Sequence, residues 1–331
     1  MLVPRGSIVP LPTPFIGSEA RVDEAALAAI IEFQLDNGSH GLSCTGTTGE
    51  PSSLPMDERK HVDEIVHERI AGRVPFVPGT GSNNLAETLE LTRHAVDLGV
   101  DGVMLIAPYY VKPNQHSLRD YFTTIADAVA EQDPDTAVIL YNIPGRAAVN
   151  IEPETIGALR RACPNIVGVK HATKNLDDVS YTFVHAGRDF AVYCGAETMT
   201  YPMLTLGGVG HISATGVIAP RQIADLYDLA AAGRWDEARD LHYQMLELND
   251  VLFIEVNPVP LKTALAAMGL CEANWRLPLG PMLEKNERTL MSTLERYGLV
   301  GSHARATAPT VAATASAAAS SGAGQDGRQR T

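Results

Sequence analysis

Short apolar runs alternate with helical patterns eight times along this chain, and that rhythm restricts its fold more than any other feature. The runs fall at 7–13, 41–44, 74–77, 102–106, 137–141, 166–170, 190–194 and 211–213. Between them, apolar residues recur at helical spacing. Behind Asp23, a ready N-cap, stand Leu27, Ile30, Ile31 and Leu35, and Asn37-Gly38 stops the pattern. Ser117 is read as the cap of a later helix. Eight strands alternating with eight helical patterns at the spacing of βα units argue for a (β/α)8 TIM barrel. The rival, a doubly wound sheet, would carry a dinucleotide fingerprint after an early strand, and none is present.

Three more helical patterns, at 236–253, 260–269 and 283–297, follow the eighth unit. The expected organisation is therefore a barrel over 1–231 and an appended C-terminal helical region over 232–301. From 302 to 331 the chain is dominated by Ala, Ser, Thr and Gly, too poor in apolar surface to offset its ordering entropy, and a disordered tail is expected. Leu2-Val-Pro-Arg-Gly-Ser7 spells a thrombin cleavage site, yet it runs directly into the first strand and is read as native.

A net charge of -13 argues against a nucleic-acid partner, which needs a basic face. The four cysteines, Cys44, Cys163, Cys194 and Cys271, have neither metal-ligand nor redox spacing, so free thiols in a reducing cytoplasm are expected. The histidines show no metal-site spacing, and no apolar run is long enough to span a membrane.

Barrels of this kind place chemistry at the C-terminal ends of their strands. By that rule Thr47-Thr48, Tyr109-Tyr110, Tyr141, Arg146 and Lys170 share one rim. Lys170 closes the run Ile166, Val167, Gly168, Val169, and a desolvated amine there can act as a nucleophile. Each piece also has a plainer reading. Lys170 can snorkel to solvent, Thr45 to Glu50 can be a tight turn, the tyrosines can pack a loop, and Arg146 can pair with a surface acid. His171 alternates to the opposite face of its strand, a structural position.

Gly46-Thr-Thr-Gly-Glu50, Pro108-Tyr-Tyr110, Tyr141-Asn-Ile-Pro-Gly-Arg146 and Gly168-Val-Lys170 resemble the signatures of the dihydrodipicolinate synthase and N-acetylneuraminate lyase superfamily. Asn257-Pro-Val-Pro-Leu-Lys262 and Arg276-Leu-Pro-Leu279 resemble its C-terminal helical region. The resemblance runs from about residue 6 to residue 297, and it implies a class I lyase whose Lys170 condenses with pyruvate, with no metal or organic cofactor. It further implies that Tyr141 shuttles protons and that Thr48 relays them to Tyr110, which reaches in from a neighbouring subunit of a homotetramer or homodimer. The Thr47 and Thr48 amides would hold the pyruvate carboxylate, the Ile212 carbonyl would face the site, and Arg146 would bind the carboxylate of an aspartate semialdehyde acceptor. His171 departs from the acidic residue usual after the lysine, which leaves another pyruvate-dependent aldolase or a keto-sugar-acid dehydratase as an alternative. A non-catalytic barrel that binds a keto acid is the second. Pro51, Met56 and Arg59 depart from the pattern of lysine-inhibited relatives, whereas Asn83 and Glu87 keep it.

Overall fold

The computed structural model describes residues 2–301; the stretch expected to be a tail lies outside the described residues. Strand β1 (Gly6–Pro10) is followed by a small antiparallel pair, β2 (Phe15–Ile16) and β3 (Arg21–Val22), which the sequence pattern does not announce. Then come β4 (Gly41–Ser43), β5 (Gly102–Ile106), β6 (Ala137–Asn142), β7 (Ile166–His171), β8 (Ala191–Cys194) and β9 (Gly210–Ile212). Seven of these form one sheet in the order β4-β1-β9-β8-β7-β6-β5, and every pairing in it is parallel.

The eighth stave is the segment 75–80. It pairs with β4 at Leu42↔Phe76 and with β5 at Gly79↔Met104, both parallel, and so closes the ring. Pro75 and Pro78 explain why it is not a regular strand: each lacks the N–H that a ladder needs, although their carbonyls still accept from Leu42 N and Met104 N at 2.9 Å. The Phe76 N–H is taken instead by the Asp101 carboxylate at 2.9 Å.

The helices between the strands follow the predicted spacing within a residue or two. They are α1 (Glu24–Asp36), α2 (Met56–Ile70), α3 (Leu85–Asp97), α4 (Gln115–Gln132), α5 (Pro144–Ala147), α6 (Pro153–Ala162), α7 (Leu176–Ala186), α8 (Thr200–Thr205) and α9 (Pro220–Ala231). The Asp23 side chain caps α1 by accepting from Ala26 N at 3.0 Å. The cap of α4 is Asn114, which accepts from Ser117 N at 2.9 Å, so Ser117 lies inside the first turn and is not the cap. α5 is one helical turn where the sequence reads as a Pro-Gly bend.

Strand alternation divides the interior into two layers. Ile8, Val77, Met104, Ile139, Tyr193 and Ile212 fill the barrel, while Val9, Leu42, Leu105, Leu140, Val169 and Val192 face the helices. The second layer continues without a break into α10 (Trp235–Val251), α11 (Val259–Ala267) and α12 (Glu284–Arg296), through Met245, Leu261 and Leu294. The helical extension is thus packed against the barrel, and residues around Asn257 come to lie at the C-terminal rim.

Candidate active site

Lys170 and Tyr141 are direct neighbours across the β6–β7 ladder. The lysine is only 5% exposed, and its Nζ stands 4.1 Å from the centroid of the Tyr141 ring. Among the described residues no hydrogen bond or ion pair holds that nitrogen. Room for the side chain comes from Gly195: a Cβ there would fall 2.8 Å from Lys170 Cε, closer than packed atoms allow. A buried amine with free donors, next to a phenol, can attack a carbonyl and hand its protons to a neighbour.

The loop after β4 brings in the hydroxyls. Thr47–Gly49 forms a short 3-10 turn, closed by Gly49 N donating to Gly46 O at 2.9 Å, and Glu50 follows in the left-handed region at φ +55°. The turn decides which threonine meets the phenol. Thr47 Oγ1 lies 3.3 Å from the Tyr141 hydroxyl, whereas Thr48 Oγ1 accepts from the Asn257 side-chain amide at 3.1 Å. Within this chain the Tyr141 hydroxyl therefore meets Thr47 and not Thr48, because successive residues of a tight turn project to different sides.

Buried contacts anchor this loop at three points. At its end, Glu50 Oε1 meets Lys262 Nζ of α11 at 2.6 Å, with side-chain exposures of 1% and 0%. That ammonium also sits 4.1 Å from the centroid of the Phe15 ring. Burial pulls the Lys262 amine down and pushes the Glu50 carboxyl up, and their mutual contact opposes both shifts. At its start, Asp63 of α2 accepts from Thr45 Oγ1 at 2.8 Å and from Cys44 Sγ at 3.0 Å, and burial pushes its carboxyl up to about 6. Between them, Thr13 Oγ1 donates to Gly49 O at 2.7 Å.

Arg146 extends from α5, with Nη2 donating to the Asn257 carbonyl at 3.1 Å. It lines a cavity of about 280 Å³ together with Thr47, Tyr109 and Asn257. A smaller cavity of about 40 Å³ lies between Thr47, Arg59, Tyr109 and Tyr141. Ile212 ends β9 on the same rim, next to Ile8 of β1. Just beyond it, Ala214 N donates to Glu197 Oε1 at 2.7 Å. Burial pushes the Glu197 carboxyl up, against its backbone hydrogen bonds and the nearby Lys170 charge.

Tyr110 does not join these groups within its own chain. It is 84% exposed, at a φ of +75° that few aromatic residues adopt, and nothing among the described residues hydrogen-bonds its hydroxyl. His171 is fully buried on the other face of β7, between Thr182 Oγ1 at 3.0 Å and Asn142 Nδ2 at 3.4 Å. Burial pulls it down to about 4, so it is neutral and turned away from the rim. The departure at His171 consequently lies outside the space an acceptor would enter. Among the described residues no cluster of His, Cys, Asp and Glu is arranged to hold a metal. Sequence reading missed Asn257 and the Glu50–Lys262 pair as site supports, although both belong to motifs it quoted; for Glu197 it offered no signal.

Residues 3–297 match the model of the Dihydrodipicolinate synthetase family. A 4-hydroxy-tetrahydrodipicolinate synthase of Thermus thermophilus is 52% identical over 296 residues, which cover 89% of this chain and 97% of that protein. Among solved structures, the dihydrodipicolinate synthase of Aquifex aeolicus superposes with a TM-score of 0.86 at 41% identity, covering 89% of this chain and 98% of that one. The chloride-inhibited dihydrodipicolinate synthase of Acinetobacter baumannii, solved with pyruvate, gives a TM-score of 0.86 at 35% identity over 90% of this chain and 100% of that one.

Proposed function

Because the chain belongs to the dihydrodipicolinate synthetase family, we propose that it is a lyase condensing pyruvate with L-aspartate 4-semialdehyde to give 4-hydroxy-tetrahydrodipicolinate, the entry to lysine and diaminopimelate synthesis. The observation that carries the reading is the Lys170 amine poised over the Tyr141 ring, with the Tyr141 hydroxyl in reach of Thr47. Lys170 Nζ adds to the keto carbon of pyruvate, and loss of water leaves an iminium. The iminium draws electrons from the methyl group, which gives up a proton and becomes the enamine carbon. That carbon attacks the aldehyde, the aldehyde oxygen takes a proton, and the acceptor's own amine then displaces Lys170 as the ring closes. Every proton removed in one step is needed in another, so a chain of hydroxyls suffices and no cofactor is invoked.

Roles follow from position. Tyr141 and Thr47 carry protons, and Tyr110, exposed and held in a rare backbone conformation, extends the relay into a neighbouring copy within a homotetramer or homodimer. The turn amides of Thr47 and Thr48, with the Ile212 carbonyl, take the pyruvate end. Arg146 takes the carboxylate of the acceptor, which favours aspartate semialdehyde over a neutral aldehyde. The free thiols of Cys44, Cys163, Cys194 and Cys271 support a reducing cytoplasm as its location, and among the described residues no helix is long and apolar enough to cross a membrane.

Borohydride reduction in the presence of pyruvate, read by intact mass and peptide mapping, tests the scheme. A reduced pyruvate adduct on Lys170, lost in Lys170→Ala, is expected. No mass gain, or a gain that survives Lys170→Ala, would overturn it. Turnover with both substrates separates an enzyme from a barrel that merely binds the keto acid.

A further inference from the structure

The residue that joins the two ends of the cavity belongs to the helical extension. Asn257 is 6% exposed and lies just before α11. Its side-chain amide donates to Thr48 Oγ1 at 3.1 Å, and its main-chain carbonyl accepts from Arg146 Nη2 at 3.1 Å. The first contact spans 209 positions of sequence and the second 111, so neither is a by-product of local chain geometry. Asn257 also lines the cavity of about 280 Å³ that Thr47 and Arg146 share. We propose that Asn257 is a positioning residue that holds the Thr48 hydroxyl and the Arg146 guanidinium at a set separation, so that both substrates are registered against one point of the helical extension.

The chemistry of an amide suits that task. By donating to Thr48 Oγ1, Asn257 uses one acceptor site of that oxygen and leaves the threonine's own hydrogen free to donate. An amide also brings no charge to compete with Arg146 for a carboxylate. Asn257 Oδ1 is buried with no partner among the described residues, so the amide N–H is the side chain's one contact with the turn. Lys262, one helical turn further along α11, fastens Glu50 and so fixes the far end of the same turn. The turn is thus held at the Thr48 side chain by Asn257 and, through Glu50 N donating to the Thr47 carbonyl, at its end by Glu50.

The inference rests on the Schiff-base reading above, and the test separates the two. Asn257→Ala and Asn257→Asp are assayed for kcat and KM of each substrate, with active sites counted by borohydride-trapped pyruvate. Asn257→Ala keeps the carbonyl that holds Arg146 and loses only the Thr48 contact, so at saturating pyruvate it is expected to trap as the wild type does, while KM for pyruvate rises about tenfold, turnover per trapped site falls and KM for the aldehyde changes little. Asn257→Asp, which cannot donate, should be no better than Ala. In a Thr48→Val background the same Ala change should cost less than about threefold, because the contact is already gone. Unchanged constants per trapped site, or full additivity with Thr48→Val, would overturn the proposal. Should Asn257→Ala fail to trap pyruvate, Thr48→Val reports the same contact from its other side, and an unaltered pyruvate KM there would equally overturn it. Absence of trapping in the wild type would remove the Schiff-base reading and this proposal with it.

Discussion

Replacing Lys262 with Met leaves the packing of its stem almost unchanged but removes the cation paired with Glu50. Both side chains are essentially inaccessible and 2.6 Å apart, and Glu50 Oε2 already has no partner among the described residues. Removing one partner of such a pair strands a charge in a low-dielectric interior, at a cost of about 3–5 kcal/mol. The carboxylate can escape by taking a proton, because burial already raises its affinity for one. That escape gives the loss a pH signature. A carboxyl whose folded pKa is raised contributes stability below its unfolded value, near 4.3, and loses it as pH rises through the folded value. Lys262→Met should therefore approach wild-type stability near pH 4–5 and fall furthest behind at pH 8. Adding Glu50→Gln removes the stranded charge and should recover most of the loss, to within about 1.5 kcal/mol of wild type. Urea unfolding followed by circular dichroism at both pH values reads these differences. A loss below about 1 kcal/mol at pH 8, or a double variant no better than the single, would refute the reasoning.

Asp63→Asn should be more stable than wild type above pH 6 and equal to it near pH 4. Its folded value of about 6 stands some two units above the unfolded one, worth on the order of 3 kcal/mol, and thermal melts across that range check it. Thr47→Val should lower kcat about a hundredfold while pyruvate trapping at Lys170 persists, and Thr48→Val should lower it only about tenfold; steady-state kinetics that rank them in reverse would return the relay to Thr48. Arg146→Ala should raise KM for the semialdehyde by one to two orders of magnitude with little change for pyruvate, and an unaltered acceptor KM in initial-rate assays would exclude the carboxylate contact.

Several of these expectations were legible before any coordinates. Apolar periodicity places Lys170 and Tyr141 at strand ends, and the barrel rule brings strand ends to one rim, so their adjacency in the β6–β7 register is the product of two general constraints. Periodicity has no purchase on Thr47 against Thr48. Their roles are decided by a three-residue turn, and that turn is held by groups more than 200 positions away. Asn257 could be quoted as part of a motif, but its two partners are set by how α10 and α11 fold back over the barrel. Tyr110 was expected to act in another copy, and a single chain shows only its exposure and its backbone conformation. The departure at His171 weighed on the choice of acceptor until burial placed that ring on the far face of its strand.

The proline-broken stave at 75–80 has a consequence for how the ring assembles and opens. Every other junction of the barrel is a paired strand ladder, whereas this one is two isolated bridges. An arc of seven strands can form around β1 first, with this segment inserted last, like the final board of a cask. Its amides at Val77, Gly79 and Thr80 should then exchange with deuterium ahead of those in β6 and β7, and equal protection would contradict that order. The same seam lies directly beneath the loop that carries Thr47, for Gly79 N donates to Cys44 O at 2.8 Å. Loosening of the ring would reach Thr47 before it reached Lys170.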